Sequence, residues 1–350
     1  MKNLSEEDLC MLSEQLVGQM LGKYQIQNLL GETSFNSVYE AVHVDLGRSV
    51  VIKVLSSSIV SSYGQGLVQM LFSNMQTASQ MHHNNLVQTY ESGLLGELFY
   101  VVVQYVSGNN LAQLLKQAGS VILGDALFVI KEVSKALHTG HEYGILHMDV
   151  KPANIFLTED EEVKLSEFGM AMPIEGATST IGNKVLFGTP WYISPEQIRG
   201  DVPLDARSDL YSLGATLFHM LAGVPPYDGD SIAQILEQHV SAPVPSIKTY
   251  KPNMPDSVDN LLLSLLGKSP DERVSSGAEL ESIIDNLVKE VYRSSEVASR
   301  EQDIPSDIED FLLNKIAQSP EERMYIQDML EAIAASKKKE NVDPEVQSWM

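Results

Sequence analysis

The hydrophobic pattern divides the chain into a strand-like first part and a helical second part. Residues 24–106 hold short β-branched runs, such as Val50–Val54 and Leu98–Val106, that are typical of strands. One helix is predicted inside this part, near 66–81, while the periodicity over 111–291 is mostly helical. The sequence therefore predicts an α+β chain, with its sheet formed before its main helical body.

Both ends of the chain add amphipathic segments to this body. Residues 1–22 predict an N-terminal amphipathic helix, because acidic residues follow a candidate N-cap and apolar residues then recur on one face. Polar residues over 292–305 predict a linker. Two capping-box spacings then predict a helical tail over 306–350. The apolar stripe of this tail must be buried, either against the rest of the chain, which we expect first, or in a homodimer.

Composition and charge narrow the functional classes. The 350 residues carry a net charge of −23, which argues against nucleic acid as a main partner and against an anionic membrane surface. No run of 18 apolar residues occurs, so no membrane span is predicted. The single cysteine, Cys10, cannot form an internal disulfide, which indicates a reducing cytoplasm.

The candidate chemistry is concentrated in residues 147–154, His-Met-Asp-Val-Lys-Pro-Ala-Asn. Asp149, Lys151 and Asn154 supply a base, a cation and an amide at a spacing that suits phosphoryl transfer from ATP. Two further motifs follow in order, Leu-Ser-Glu-Phe-Gly at 165–169 and Gly-Thr-Pro-Trp-Tyr-Ile-Ser-Pro-Glu at 188–196. The ordered set is far more specific than any of the three strings alone.

This ordered set resembles the catalytic, metal and substrate-docking loops of bacterial Hanks-type serine/threonine protein kinases. The resemblance implies a two-lobed protein-kinase-like fold over 23–291, with a β-rich N-lobe at 23–106 and a helical C-lobe at 107–291. It also implies a nucleotide cleft between the lobes and a protein as the substrate or signalling partner.

The same resemblance implies individual roles. Asp149 would be the catalytic base and Lys151 a ligand of the transferring phosphate, while Asn154 and Glu167 would hold Mg²⁺ or Mn²⁺. A structural role is implied for Asp209, which would anchor the catalytic loop. The ATP-binding residues would be Gly31, Val38, Val51, Lys53, Gln104, Val106 and Phe156.

Several positions depart from the family pattern. Gly31 is the only glycine retained in the phosphate-covering loop, and Glu167 replaces the aspartate of the metal loop. The helix that should supply a glutamate to Lys53 has Asn74 at that place, and no acid occurs anywhere over 54–90. Our hypothesis is that the longer Glu167 reaches Lys53 when no nucleotide is bound.

Two functional hypotheses follow. The first is a serine/threonine protein kinase of reduced activity, favoured by the retention of Asp149, Lys151 and Asn154. The alternative is a pseudokinase that acts as a nucleotide-binding or scaffold module, favoured by the departures. The segment 54–90 has no charged residue, so a terminal helix or a partner is expected to cover its apolar surface.

Overall fold

A six-stranded antiparallel sheet forms the first part of the protein, in a computed structural model that describes residues 16–33, 36–55, 64–95, 98–170, 173–178 and 185–298. The strands follow the order β1-β2-β3-β4-β6-β5. Their bounds are β1 (Met20–Leu21), β2 (Tyr24–Glu32), β3 (Asn36–His43), β4 (Arg48–Leu55), β5 (Thr89–Leu95) and β6 (Leu98–Gln104).

Strand alternation in β4 separates the core of this sheet from the site. Val50, Ile52 and Val54 are buried in one apolar cluster with Tyr24 and Tyr39. Because successive side chains point to opposite faces, the residues between them point to the other face of the sheet. That face borders the cleft described below.

Helix α1 (Gln65–Ala78) packs against strand β5 and confirms the helix predicted near 66–81, although it ends three residues earlier. Leu67, Leu71 and Met75 lie on one stripe and are buried in the main apolar core. Met70, on the outer side, remains 44% exposed. The uncharged segment thus buries much of its apolar surface within the chain, and its contact with a partner stays a prediction.

The second part of the protein is mainly helical and packs around α5, most of whose residues are buried. No described helix is both long and apolar enough to cross a membrane. The helices are α2 (Leu111–Ala118), α3 (Leu123–Glu142), α4 (Pro195–Arg199), α5 (Ala206–Ala222), α6 (Ile232–Ser241), α7 (Asp256–Leu265) and α8 (Gly277–Ala298). The short strands are β7 (Asn109–Asn110), β8 (Ile155–Leu157), β9 (Val163–Leu165), β10 (Pro173–Thr178) and β11 (Val185–Phe187).

The ends of the chain correct two expectations. Residues 16–20, the last part of the predicted N-terminal helix, form a turn and the start of β1, because Gly18 adopts φ +83° and interrupts any helix. The predicted linker over 292–305 is wrong over its first seven residues, since α8 continues to Ala298 without a Gly or Pro to stop it. Residues 1–15 and the predicted tail over 306–350 lie outside the described residues.

Candidate active site

A cleft of about 440 Å³ opens between the six-stranded sheet and the helical part. This volume is in the range of small-molecule sites, roughly 300–1,000 Å³. Apolar side chains from β3, β4 and β8 form much of its wall. The cleft brings together all the residues that were predicted to bind ATP, namely Gly31, Val38, Val51, Lys53, Gln104, Val106 and Phe156.

The β2–β3 hairpin covers one side of the cleft. It retains a single glycine, Gly31, of the three in the family pattern. Gly31 pairs with Val38, and the hairpin closes through the Thr33 backbone N–H, which donates to the Asn36 carbonyl oxygen at 2.8 Å. Nothing lies within 4 Å of a Cβ placed on Gly31, so the space beside this backbone is open toward a ligand. The described parts of β2 and β3 thus stay paired although Thr33 and Asn36 stand where the family pattern has glycines.

Lys53 forms an ion pair with Glu167 at the back of the cleft. The lysine side chain is only 9% exposed and the glutamate side chain 29% exposed. Burial would raise the pKa of Glu167, but the charge and hydrogen bond of Lys53 outweigh burial and hold that pKa below its usual value. The contact between Glu167 and Lys53 that the sequence hypothesis proposed is thus present in the structure, and its dependence on nucleotide stays a prediction.

Asn74 connects helix α1 to the metal loop through a hydrogen bond. Its side chain is neutral, so it adds no charge to the Lys53–Glu167 ion pair. Its Nδ2 donates to the carbonyl oxygen of Gly169 at 3.3 Å. Gly169 has φ +73°, and a Cβ there would lie 3.1 Å from the Asn74 Cβ, so the two backbones approach closely. A neutral amide thus takes the place where the family pattern has a glutamate.

Phe168 fixes the metal loop against helix α3. Its ring is buried and makes an edge contact with the His147 ring, at 5.0 Å between centroids. A Cβ on Gly140 of α3 would lie 2.0 Å from the Phe168 Cζ, so only glycine leaves room for this ring. Glu167 is held directly beside this wedge, in the left-handed conformation with φ +66°.

Asp149, Lys151 and Thr189 form a closed triangle of hydrogen bonds. Lys151 Nζ donates to Asp149 Oδ2 at 2.6 Å and to Thr189 Oγ1 at 2.8 Å. The Thr189 hydroxyl in turn donates to Asp149 Oδ1 at 2.6 Å. The carboxylate, the ammonium group and the docking-loop hydroxyl therefore hold one another in a fixed arrangement.

Asn154 is buried and turned toward the catalytic loop. Its Nδ2 donates to the Asp149 carbonyl oxygen at 2.9 Å, which leaves the amide oxygen Oδ1 for another partner. Asn154 Oδ1 and the Glu167 carboxylate are hard oxygen ligands of the type that Mg²⁺ prefers. In the described part of the chain, no three His, Cys, Asp or Glu side chains cluster as a metal site. The donor set fits a magnesium ion that also takes oxygens from nucleotide phosphates.

The backbone of the catalytic loop is anchored by Asp209 of helix α5. The backbone N–H groups of His147 and Met148 each donate to its carboxylate at 2.8 Å, and His141 Nε2 donates at 2.7 Å. Burial would raise the pKa of Asp209, but these donors lower it below its usual value. Met148 adopts φ +67°, a conformation that these bonds maintain. The anchoring role expected of Asp209 is thus present in the structure.

His147 joins the catalytic loop to the metal loop. Its Nε2 donates to the Ser166 carbonyl oxygen at 2.7 Å, so its Nδ1 is the acceptor for the Asp149 N–H at 3.3 Å. The ring is fully buried. One neutral tautomer therefore satisfies both loops.

A second buried pair stabilises the helical part below the site. Arg273 donates to both carboxylate oxygens of Glu196 at 2.7 Å, and the Ser208 hydroxyl adds a bond of 2.6 Å. Both side chains of the ion pair are almost completely buried. Because Glu196 lies at the end of the docking-loop motif, this pair fixes that loop to the body of the protein.

The cleft also contains residues that sequence reasoning did not select. Val103 and Tyr105 flank Gln104, so four consecutive residues over 103–106 line the cleft. Strand alternation would place neighbouring side chains on opposite faces, and it therefore could not have selected all four. Thr189 was noted only within a motif, since a loop threonine gives no signal of its hydrogen-bond partners. The other unselected lining residues include Leu30, Val87, Thr89 and Met170.

Comparisons with known proteins agree with this geometry. The chain is 33% identical over 270 residues to the serine/threonine-protein kinase PrkC of Bacillus subtilis, a match that covers 77% of this chain and 41% of that protein. It is 34% identical over 263 residues to the serine/threonine-protein kinase PknB of Mycobacterium leprae, covering 74% of this chain and 42% of that protein. The matches thus span less than half the length of these curated relatives.

A solved structure shares the fold. The kinase domain of Mycobacterium tuberculosis PknI superposes with a TM-score of 0.63 and 24% identity, covering 77% of this chain and 98% of that domain. The family model described as "Protein kinase domain" matches residues 24–333. With its cleft, its three loops and these relatives, the chain belongs to the protein kinase family.

Proposed function

We propose that the chain transfers the terminal phosphoryl group of ATP to serine or threonine hydroxyls of a protein, at a reduced rate. The observation that carries this proposal is the hydrogen-bonded triangle of Asp149, Lys151 and Thr189, which lies beside a cleft of suitable size. A scaffold would not need the Asp149 carboxylate and the Lys151 ammonium group held at fixed positions relative to each other. Similarity to bacterial serine/threonine kinases supports the same reaction.

Nucleotide binding requires a change of partner at Lys53. Val38, Val51 and Phe156 offer apolar walls for a base, while Lys53 is the cation at the inner end of the same cleft. Lys53 is paired with Glu167, so phosphate oxygens must compete with that carboxylate for the ammonium group. This competition supports an affinity for ATP below that of a kinase whose lysine is already oriented by a helix glutamate.

In the transfer step, Asp149 accepts the proton of the substrate hydroxyl. The hydroxyl oxygen forms a bond to the terminal phosphorus as the bond from that phosphorus to the bridging oxygen breaks, and ADP leaves with the electron pair. Lys151 lies 2.6 Å from the Asp149 carboxylate, where its charge can stabilise the transferring group. Thr189 keeps both side chains in place.

Asn154 and Glu167 are the residues that would hold Mg²⁺ or Mn²⁺ in this proposal. The bound ion would neutralise negative charge on the phosphates. Glutamate is one methylene longer than aspartate, and a misplacement of about 1 Å can cost roughly 100-fold in rate. This corresponds to about 2.7 kcal/mol of activation free energy, which is the basis of the reduced rate.

The proposal includes a cellular setting and partners. The single cysteine, Cys10, supports action in the cytoplasm, and family membership supports a protein as substrate. A partner contact on the uncharged segment 54–90 remains a proposal, supported by the exposed Met70. The apolar pattern of 306–350 supports packing of the tail against the body of the same chain, with a homodimer as the alternative.

A single-turnover assay tests the proposed reaction. Radiolabelled ATP, Mg²⁺ or Mn²⁺ and a generic protein substrate are mixed with excess protein, beside an Asp149→Asn variant. We expect slow transfer that falls by about 100-fold or more in the variant, the usual contribution of a general base. Absence of transfer with either metal, in a protein that still binds ATP, would favour the nucleotide-binding scaffold instead.

A further inference from the structure

A second cavity, separate from the nucleotide cleft, lies between helix α2 and the start of helix α3. Its volume is about 300 Å³. Its apolar lining comes mainly from Leu111, Leu114, Val121, Ile122, Val129 and Leu157. Ile122 is 47% exposed, and Leu114 and Val121 are half-buried, so this apolar surface is open to solvent. We call it the α2–α3 groove.

Helix α8 packs on the face of α3 that points away from the groove, and it carries the chain toward the N-terminal end of α3, where the groove lies. Lys135 of α3 lies 3.7 Å from Glu281, and Lys131 lies 2.6 Å from Asp285. Residue numbers fall along α3 as they rise along α8, so the two helices are antiparallel. At 1.5 Å per residue, α8 reaches the N-terminal end of α3 about eight residues after Asp285 and continues to Ala298. The chain therefore leaves the described structure at the end of α3 that borders the groove.

The described N-terminal end of the chain packs against a different surface. Leu16, the first described residue, packs against the small apolar cluster that contains Leu21 and Ile26. Its backbone carbonyl also accepts a hydrogen bond from Gln19. The N-terminal segment thus enters the fold at the six-stranded sheet, so the C-terminal segment is the occupant favoured by chain direction.

The sequence after α8 has the pattern of a groove-binding helix. Ser306 and Glu309 have capping-box spacing, and Ile308, Phe311, Leu312 and Ile316 follow at the i, i+3, i+4 and i+8 positions. The seven intervening residues, 299–305, can span at most about 25 Å, enough to pass round the end of a helix. An isolated helix of this length is marginal in water and needs a surface to pack against.

We propose that residues 306–318 bind as an amphipathic helix in the α2–α3 groove of the same chain. Phe311, the largest apolar side chain of the segment, and Leu312 next to it would fill the cavity beside Ile122. Helix α2 is the wall that this groove shares with the nucleotide cleft: Leu111 and Leu114 face the groove, and Gln113 lines the cleft. The bound segment would therefore brace the element that borders the nucleotide.

Disulfide trapping in the full chain tests this assignment. In a Cys10→Ser background, the pair Ile122→Cys and Phe311→Cys is oxidised with copper phenanthroline and compared with the pair Leu263→Cys and Phe311→Cys. Leu263 is a matched control because it is also 47% exposed. We expect a cross-link within one chain for the first pair and at least tenfold less for the control. A cross-link found only at dimer mass, or equal yields for both pairs, would overturn the proposal.

Hydrogen exchange supplies an independent measurement that needs no cross-link. Replacing Phe311→Asp together with Leu312→Asp should speed exchange of the α2 amides by about tenfold or more, because the groove would be uncovered. Exchange in α7 should not change. Unaltered exchange in α2 would also overturn the assignment.

Discussion

The ammonium group of Lys53 is paired with the carboxylate of Glu167, 114 residues further along the chain, and helix α1 offers it no acid at all. The lysine side chain is largely buried, so it needs an anion close by. Glu167 supplies that anion. The two departures from the family pattern, at the metal loop and on the helix, therefore compensate each other.

Removing the Glu167 carboxylate should release Lys53 for phosphate. In a Glu167→Ala variant, we expect ATP affinity in the absence of metal to rise by about tenfold, which is roughly 1.4 kcal/mol, because phosphate no longer competes with a protein carboxylate. Calorimetry with EDTA present measures this. A Glu162→Ala variant, which removes an exposed acid near Lys164, is the control. Equal affinities for wild type and Glu167→Ala would contradict the proposed competition.

Shortening the same side chain should restore the metal geometry. A Glu167→Asp variant should turn over faster than the wild type in Mg²⁺, by up to about 100-fold, because its carboxylate returns to the length that tight octahedral coordination favours. Single-turnover rates across a Mg²⁺ titration provide the measurement, with Glu162→Asp as the same chemical change at an exposed site. An unchanged rate would show that side-chain length does not limit the reaction.

The Thr189 hydroxyl should matter for turnover more than for ATP binding. It donates to Asp149 and accepts from Lys151, so Thr189→Val removes two bonds of the triangle at nearly constant volume. We expect kcat to fall by about tenfold or more while KM for ATP stays the same. Thr189→Ser keeps the hydroxyl and should retain most of the activity. Steady-state kinetics of the wild type and the two variants measure this effect. If Thr189 had a purely structural role, Thr189→Ser would lower the activity as well.

Asp209 should make stability depend on acid pH. Its pKa is lower in the folded than in the unfolded protein, so its contribution is fully present above the unfolded value, about 3.9, and is lost as pH falls through the folded value. Asp209→Asn should lower the free energy of unfolding at pH 7 by about 3 kcal/mol, the scale of a broken buried ionic contact. The variant should also lose less stability between pH 5 and 3 than the wild type.

Urea unfolding at several pH values measures both effects. An Asp285→Asn variant is a suitable control, because Asp285 also pairs with a cation but is 44% exposed. The prediction fails if Asp209→Asn and wild type lose the same free energy on acidification.

The sequence allowed predictions for residues whose role depends on their own strand or loop. It did not allow them for residues whose role depends on partners far along the chain. Val51 and Lys53 were expected from the resemblance of one strand-like run, Val-Val-Ile-Lys at 50–53, to a kinase motif, and Asp149 and Asn154 from one loop motif. The hydroxyl of Thr189 could not be assigned in this way, because its partners are 38 and 40 residues distant and only tertiary packing brings them together.

Errors at the chain ends have a local cause. Periodicity alone suggested helix up to Met20, yet Gly18 adopts a positive φ and turns the chain into β1. Polarity alone suggested a linker from 292, yet nothing in that stretch breaks a helix, and α8 runs on to Ala298. In both places the backbone preferences of Gly and Pro were more informative than hydrophobicity.

The Asp209 anchor has a consequence for the order in which the candidate site is assembled during synthesis. The backbone of His147 leaves the ribosome 62 residues before the carboxylate that shapes it, and Glu196 emerges 77 residues before Arg273. A nascent chain therefore contains Asp149 and Lys151 well before the catalytic loop that holds them can take its final form. The same is true of the walls of the cleft. The candidate site therefore takes its final form only when the helices after the docking loop have emerged and packed.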